Sequence, residues 1–180
     1  ASTTEGANRP ESGLLVHAGT GDTWVGPMTS PAKVTVRKAV TMLATSGMKI
    51  HPETDIVQRL WQKLIINAGI NPYTAILDCP NGKILDAPLY QSTIDQLCLE
   101  LSQLMDAAVR IRQTPDALRE RIEQVARNTA GNTSSMRADV QRGRQTEIDF
   151  INGYVAKLGK ELGIETPVNQ MLTERVQQLS

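Results

Sequence analysis

Lys63, Asn67 and Asn71 stand four residues apart within the otherwise apolar run RLWQKLIINAGINPYTAILDCPN. Four residues advance an α-helix by about 400°, so the three side chains drift only about 40° per step and share one face, with Thr74 on the same stripe. The remaining positions, among them Leu60, Trp61, Leu64, Ile65, Ala68 and Ile70, are those of a buried element. An amine and two carboxamides projecting together can hold a small polar ligand, and a lysine in a partly buried pocket becomes a usable general acid or base. The same spacing also describes the solvated side of an amphipathic helix. Surface stripes are usually rich in Glu, Lys and Arg, however, and Asn is a mediocre helix former. The Asn71-Pro72 step disfavours the α conformation at Asn71 and removes a backbone donor, so a kink or interruption is expected beside the stripe.

Two further clusters could bind. Ser134-Ser135 falls at a predicted helix start, where hydroxyls and unpaired backbone N–H groups favour a carboxylate or phosphate; the alternative is an ordinary N-cap. Glu147, in RQTEIDFING, falls in the first turn of a helix predicted to begin after Thr146. It is either a ligand contact or a partner of the helix dipole, with Asp149 completing a capping box. His17 and His51 stand far apart without Glu or Cys at metal-ligand spacing; both read as structural, and no metal site is expected. No Ser-His-Asp arrangement or nucleophile elbow is visible.

These residues need elements to hold them. Residues 14–17 and 23–26 read as the strands of a β-hairpin around Gly-Thr-Gly-Asp, a Gly-x-Gly that lacks the third glycine and following helix of a dinucleotide loop. Residues 31–46 predict a helix stopped by Gly47, and 48–51 another short strand, an order that resembles the last part of an α/β sheet. Helices are then predicted over 55–78, broken near Pro72, and over 87–112, 116–129, 136–142, 147–162 and 167–179, with Pro80-Asn81-Gly82 as a turn. About six helices follow residue 52, giving a mainly α chain divided into residues 1–52 and 53–180. Composition agrees. Lys+Arg 19 against Asp+Glu 19 leaves no net charge and aromatics are 3%, which argues against nucleic acid. Two cysteines, no secretory segment and no membrane-length apolar run make a reducing, cytoplasmic setting the expectation, with no membrane partner. Exposed apolar helical faces leave a homodimer open. The first residue is Ala1, which suggests a processed start or a piece of a longer protein.

The strings KLIINAGINPYTAILDCPNG and NTSSMRADVQRGRQTEIDFINGY closely resemble the C-terminal domain of the ketopantoate reductase (2-dehydropantoate 2-reductase) family, and HAGTGDTWVGP resembles the end of its nucleotide-binding domain. The resemblance implies a helical domain of the 6-phosphogluconate dehydrogenase C-terminal-like type, preceded by a short α/β remnant of a Rossmann domain. It implies NADPH-dependent reduction of the 2-keto acid 2-dehydropantoate to pantoate, on the pathway to pantothenate and coenzyme A. By motif, Lys63 matches the proton donor, Asn67, Asn71, Asn81 and Ser135 match substrate-binding residues, and Glu147 matches a residue near the lysine and cofactor. The family's G-x-G-x-x-G loop is not in this chain, which should therefore not bind NADPH tightly. Two other readings stand beside this one: a non-catalytic helical dimerisation or assembly module, and a related 2-hydroxy-acid dehydrogenase with another substrate.

Overall fold

The computed structural model describes residues 1–11 and 13–179 and divides into two units, Ala1–Trp61 and Gln62–Ser180. In the first, β1 (Ser2–Thr3), β4 (Asp22–Val25) and β5 (Lys49–Pro52) form one sheet in the order β1-β4-β5, while β2 (Gly6–Glu11) and β3 (Leu14–Gly19) form another. Strand β4 runs parallel to β5, a pairing that requires a crossover, and α1 (Val36–Ala44) supplies it after a 3₁₀ turn at Pro31–Val34. Gly47, at φ 80°, ends the crossover.

Strands lie where residues 14–17 and 23–26 predict them, yet they do not form a hairpin with each other. β3 pairs with β2 across a turn at Gly13 (φ 84°), and β4 pairs antiparallel with β1. The reason lies at the Gly19-Thr20-Gly21 step. Thr4 and Asp22 exchange main-chain and side-chain hydrogen bonds, with Thr4 N–H donating to the Asp22 carbonyl (2.9 Å) and Asp22 N–H to Thr4 Oγ1 (2.9 Å). The N-terminal residues thus take up β4 in place of β3.

The second unit is helical. α2 (Ile56–Ile76) begins in the first unit and continues into the second, followed by a 3₁₀ turn (Asn81–Asp86), α3 (Pro88–Val109), α4 (Pro115–Asn128), α5 (Ser135–Gln141), a 3₁₀ turn (Ile148–Phe150), α6 (Asn152–Leu162) and α7 (Pro167–Gln177). Six α-helices therefore follow residue 52 among the described residues. Ile94, Leu97, Leu101, Leu104 and Met105 of α3 and Leu118 and Ile122 of α4 are fully buried. Gly69 lets α4 approach α2, since a Cβ there would lie 2.6 Å from Ile122 Cδ1. A second cluster joins Ala68 and Ala75 of α2 to Met136, Ile148, Ile151 and Val176.

Two expectations are corrected. α2 is not interrupted near Pro72 but runs through it. Proline supplies no N–H to the carbonyl four residues back, and here the Asn152 carboxamide donates to the Ala68 carbonyl instead (3.3 Å). Nor does a helix start after Thr146. Residues 148–150 form the 3₁₀ turn, Ile151 (φ −107°, ψ −93°) breaks the chain direction, and α6 begins at Asn152. Thr146 caps nothing, its buried hydroxyl having no partner among the described residues. Asp149 accepts from Gln177 Nε2 (2.7 Å) rather than closing a capping box. No helix among the described residues is long and apolar enough to cross a membrane.

Candidate active site

The polar stripe of α2 grades from surface to core. Lys63 is exposed, Asn67 half-buried, Asn71 9% exposed and Thr74 fully buried. The expectation of a partly buried lysine is corrected: its position lies at the outer end of the stripe, where the helix face meets solvent.

At the inner end the stripe joins α5. The Thr74 hydroxyl donates to the Asn71 carbonyl (2.8 Å) and lies 2.6 Å from Ser134 Oγ, which accepts from the Arg137 N–H (3.1 Å) as the N-cap of α5. A hydroxyl carries one proton. With the Thr74 proton spent on the Asn71 carbonyl, Ser134 donates to Thr74, and the chain of bonds has one direction from α5 to α2. Ser135, exposed, opens α5 beside this junction. Asp78, at φ 45° just past α2, accepts from Arg137 Nε (2.9 Å) and Gln141 Nε2 (2.8 Å), and the Arg137 hydrogen bond holds its carboxyl below the usual range. Burial pushes the neighbouring Cys79 thiol up. Thus a hydroxyl pair, an ion pair and the Ala75–Met136 packing fix α5 against the C-terminal half of α2.

Asn81 reaches the same junction from another direction. Its N–H donates to the Asn132 carbonyl (3.0 Å), its Nδ2 to Thr129 Oγ1 (2.9 Å), and the Gly82 N–H to the Ala130 carbonyl (3.1 Å). The segment held this way is the one that runs on into Ser134-Ser135. Asn81 Oδ1 is buried without a partner among the described residues, so the carboxamide keeps an unspent acceptor. Glu147 is exposed and caps no helix with its side chain; it is placed by Ile148, which packs in the cluster containing Ala68.

The sequence pointed to Thr74 as a member of the stripe and to Ser134 as half of the Ser134-Ser135 cluster, and passed over Asn152. The last directly follows Phe150-Ile151 in TEIDFING, and a carboxamide placed right after two apolar residues was the available signal. Two hollows lie elsewhere, one of about 850 Å³ beside Lys157, Lys160 and Thr166 and one of about 280 Å³ beside Thr146, Asp149 and Gln177. His17 and His51 pair with Glu5 and Asp22, each at 2.6 Å, and no group of three or more His, Cys, Asp or Glu among the described residues could hold a metal ion. A dinucleotide phosphate cradle does not fit the glycines present. Gly19-Thr20-Gly21 links two strands, and a Cβ on Gly21 would lie 2.4 Å from the Thr4 carbonyl carbon, so its smallness serves strand packing.

Residues 55–180 match the family described as ketopantoate reductase PanE/ApbA C terminal. The chain belongs to the ketopantoate reductase family. It corresponds to the C-terminal part of the reductase. The 2-dehydropantoate 2-reductase of Vibrio cholerae is 40% identical over 180 residues, covering 99% of this chain and 60% of that protein. That of Archaeoglobus fulgidus is 38% identical over 174 residues, covering 97% and 58%. The chain therefore spans a little over half the length of these curated relatives. Among solved structures, a PanE/ApbA family ketopantoate reductase from Ralstonia eutropha superposes with a TM-score of 0.85 at 25% identity, covering 99% of this chain and 57% of that one. D-mandelate dehydrogenase with NADH and anilino(oxo)acetate shares the fold, with a TM-score of 0.87 at 24% identity over 98% of this chain and 57% of that chain.

Proposed function

We propose that this chain supplies the substrate-binding and proton-donor half of an NADPH-dependent 2-dehydropantoate 2-reductase. What supports the reading is that Thr74, on the stripe that begins at Lys63, bonds Ser134, the residue before Ser135, while Asn81, with its buried unspent acceptor, is bonded to the 129–132 segment that leads into that serine pair. A buried carboxamide with an unspent polar atom is costly unless a ligand satisfies it. 2-Dehydropantoate, a 2-keto acid that also carries a hydroxyl, offers the matching groups. Its carboxylate accepts from carboxamide N–H and serine O–H, its hydroxyl both donates and accepts, and its ketone oxygen accepts from an ammonium.

In this arrangement Asn67, Asn71, Asn81 and Ser135 bind and orient the acid, and Lys63 gives its proton to the ketone oxygen as negative charge develops there. Lys63 is exposed, so exclusion of water from its ammonium falls to whatever binds over it. Glu147 is the residue of this chain proposed to face the cofactor. NADPH is the hydride source such a reduction needs, and the described residues offer no phosphate cradle for it.

Lys63→Ala in the full-length reductase that carries this sequence tests the role. Turnover should fall by about 10²–10⁴-fold, the usual worth of a positioned acid, with little change in NADPH affinity. Equal loss of both, or loss of neither, removes Lys63 from the acid role.

A further inference from the structure

We propose that Pro72 and Asn152 act together as wedge and filler, fixing the offset between Asn67 and Asn71, so that Asn152 is a positioning residue for the substrate stripe. The inference rests on the function proposed above. It starts from the place of Pro72, which lies inside α2 directly after Asn71 and four residues beyond Ala68, itself directly after Asn67. The missing ladder bond, from position 72 to the Ala68 carbonyl, therefore lies between the two carboxamides of the stripe. Proline cannot bond the Ala68 carbonyl and its ring crowds it. Ala68 is fully buried, so no water can take over the vacated acceptor, and the Asn152 Nδ2 does so at 3.3 Å.

Asn152 is held for this task from behind. Its second N–H donates to Asn169 Oδ1 (3.0 Å), and Asn169 Nδ2 donates to Glu100 Oε2 (2.7 Å). Glu100, on α3 and fully buried, also accepts the Val168 and Asn169 N–H groups at 2.9 and 3.1 Å, taking up unpaired donors of the first turn of α7. Three helices, α3, α6 and α7, thus brace one amide against one carbonyl of α2. Asn152 Oδ1 is buried with no partner among the described residues, so the side chain serves only its two donor bonds. A site evolved for stability alone would be better filled by an N–H at position 72, which any residue but proline supplies within the helix.

The test is Pro72→Ala. It adds the missing donor and the best helix former, so the thermal midpoint should hold or rise. In the 180-residue chain, the new amide at position 72 should be protected from hydrogen exchange like its neighbours, showing that the ladder bond to the Ala68 carbonyl has formed. In the full-length reductase, KM for 2-dehydropantoate should rise on the order of ten-fold while kcat changes less, because the loss is of substrate placement. Asn152→Asp, which keeps the shape and turns both donors into acceptors, should raise KM similarly. A protected amide with KM within about two-fold of the parent would overturn the positioning role. An unprotected amide would overturn the wedge. If the unsubstituted reductase does not reduce 2-dehydropantoate, the function proposed above fails, and the exchange measurement still decides the wedge.

Discussion

The hydroxyl pair between α2 and α5 is the most exacting contact of the candidate site, and Thr74→Val tests it with almost no change of shape. Thr74 is fully buried and Ser134 is 7% exposed, so neither hydroxyl can turn to solvent. Valine removes two hydrogen bonds, the donation to the Asn71 carbonyl (2.8 Å) and the acceptance from Ser134 (2.6 Å). The Asn71 carbonyl keeps its place in the helical ladder, whereas the Ser134 O–H is left facing a methyl group. Each bond contributes about 1 kcal/mol net, and a stranded buried donor costs about 1–3 kcal/mol. Counting about 1 kcal/mol for the bond to the Asn71 carbonyl and about 1–3 kcal/mol for the stranded Ser134 donor, the expected loss is about 2–4 kcal/mol. For a chain of this size that lowers Tm by roughly 5–15 °C. Thr74→Ser keeps the hydroxyl and gives up one methyl, worth about 1 kcal/mol. Urea and thermal unfolding followed by far-UV circular dichroism should rank wild type above Thr74→Ser and Thr74→Ser above Thr74→Val. Ser134→Ala removes the stranded donor, so the double variant Thr74→Val/Ser134→Ala should be less damaged than the sum of the two. The reasoning is refuted if Thr74→Val lies within about 0.5 kcal/mol of wild type, the range of an ordinary surface change, or if the serine variant is the less stable of the two.

Other expectations test the same frame. Gly82→Ala would place a Cβ 2.6 Å from Ala130 Cβ and 2.9 Å from Ala130 Cα. That forces the 129–134 segment off Asn81 and should cost about 1–3 kcal/mol in urea unfolding; unchanged stability would mean that the close approach does not constrain the loop. The carboxyls of Glu5, Glu53, Asp78 and Glu123 are held low by their partners His17, Arg59, Arg137 and Arg119. Depressed folded values contribute stability that is complete above the ordinary carboxylate range, about pH 4, and is lost as pH falls through the lowered values. The urea midpoint should accordingly drop between about pH 5 and pH 2, less steeply in Asp78→Asn, and a midpoint that rises on acidification contradicts the assignment. Titration with micromolar NADPH should leave the intrinsic fluorescence of the 180-residue chain unchanged; saturable quenching would show that a cradle exists where none was found.

Period and punctuation made the helices legible, and the limits of those signals explain the misses. The 3.6-residue pattern in α3 and α4 and the Thr114-Pro115 start are local features, and they are found where the sequence puts them. The hairpin failed because pairing is not local. Residues 14–17 and 23–26 look like neighbours until Thr4 takes Asp22, a contact that no periodicity in either strand encodes. Pro72 failed for a related reason. Proline is punctuation in an isolated helix, but a carboxamide 80 positions downstream turns the stop into a continued helix. The site divides the same way: the stripe is visible as a four-residue repeat, while the Thr74–Ser134 bond spans 60 positions and has no sequence signature.

Under the function proposed here, the burial gradient along the stripe would separate anchoring from chemistry. Groups that must fix a substrate's position benefit from rigid surroundings, because a displacement of about 1 Å can cost about 10²-fold in rate. Asn71 and Asn81 have such surroundings, tied by the Thr74–Ser134 pair, the Asn132 carbonyl and the packing of Met136. A proton donor has a different requirement, because it must meet solvent between turnovers to recover its proton and must lose water while it acts. A lysine at the exposed end of the same helix can do both, provided that the helix between the two ends holds its geometry. The ladder bond missing at Pro72 lies beside Asn71 on that path, and under the proposal the brace through Asn152, Asn169 and Glu100 bears on function as well as on stability. Softening the brace should therefore raise KM before it lowers the proton-transfer step, while removing the Lys63 amine should do the reverse.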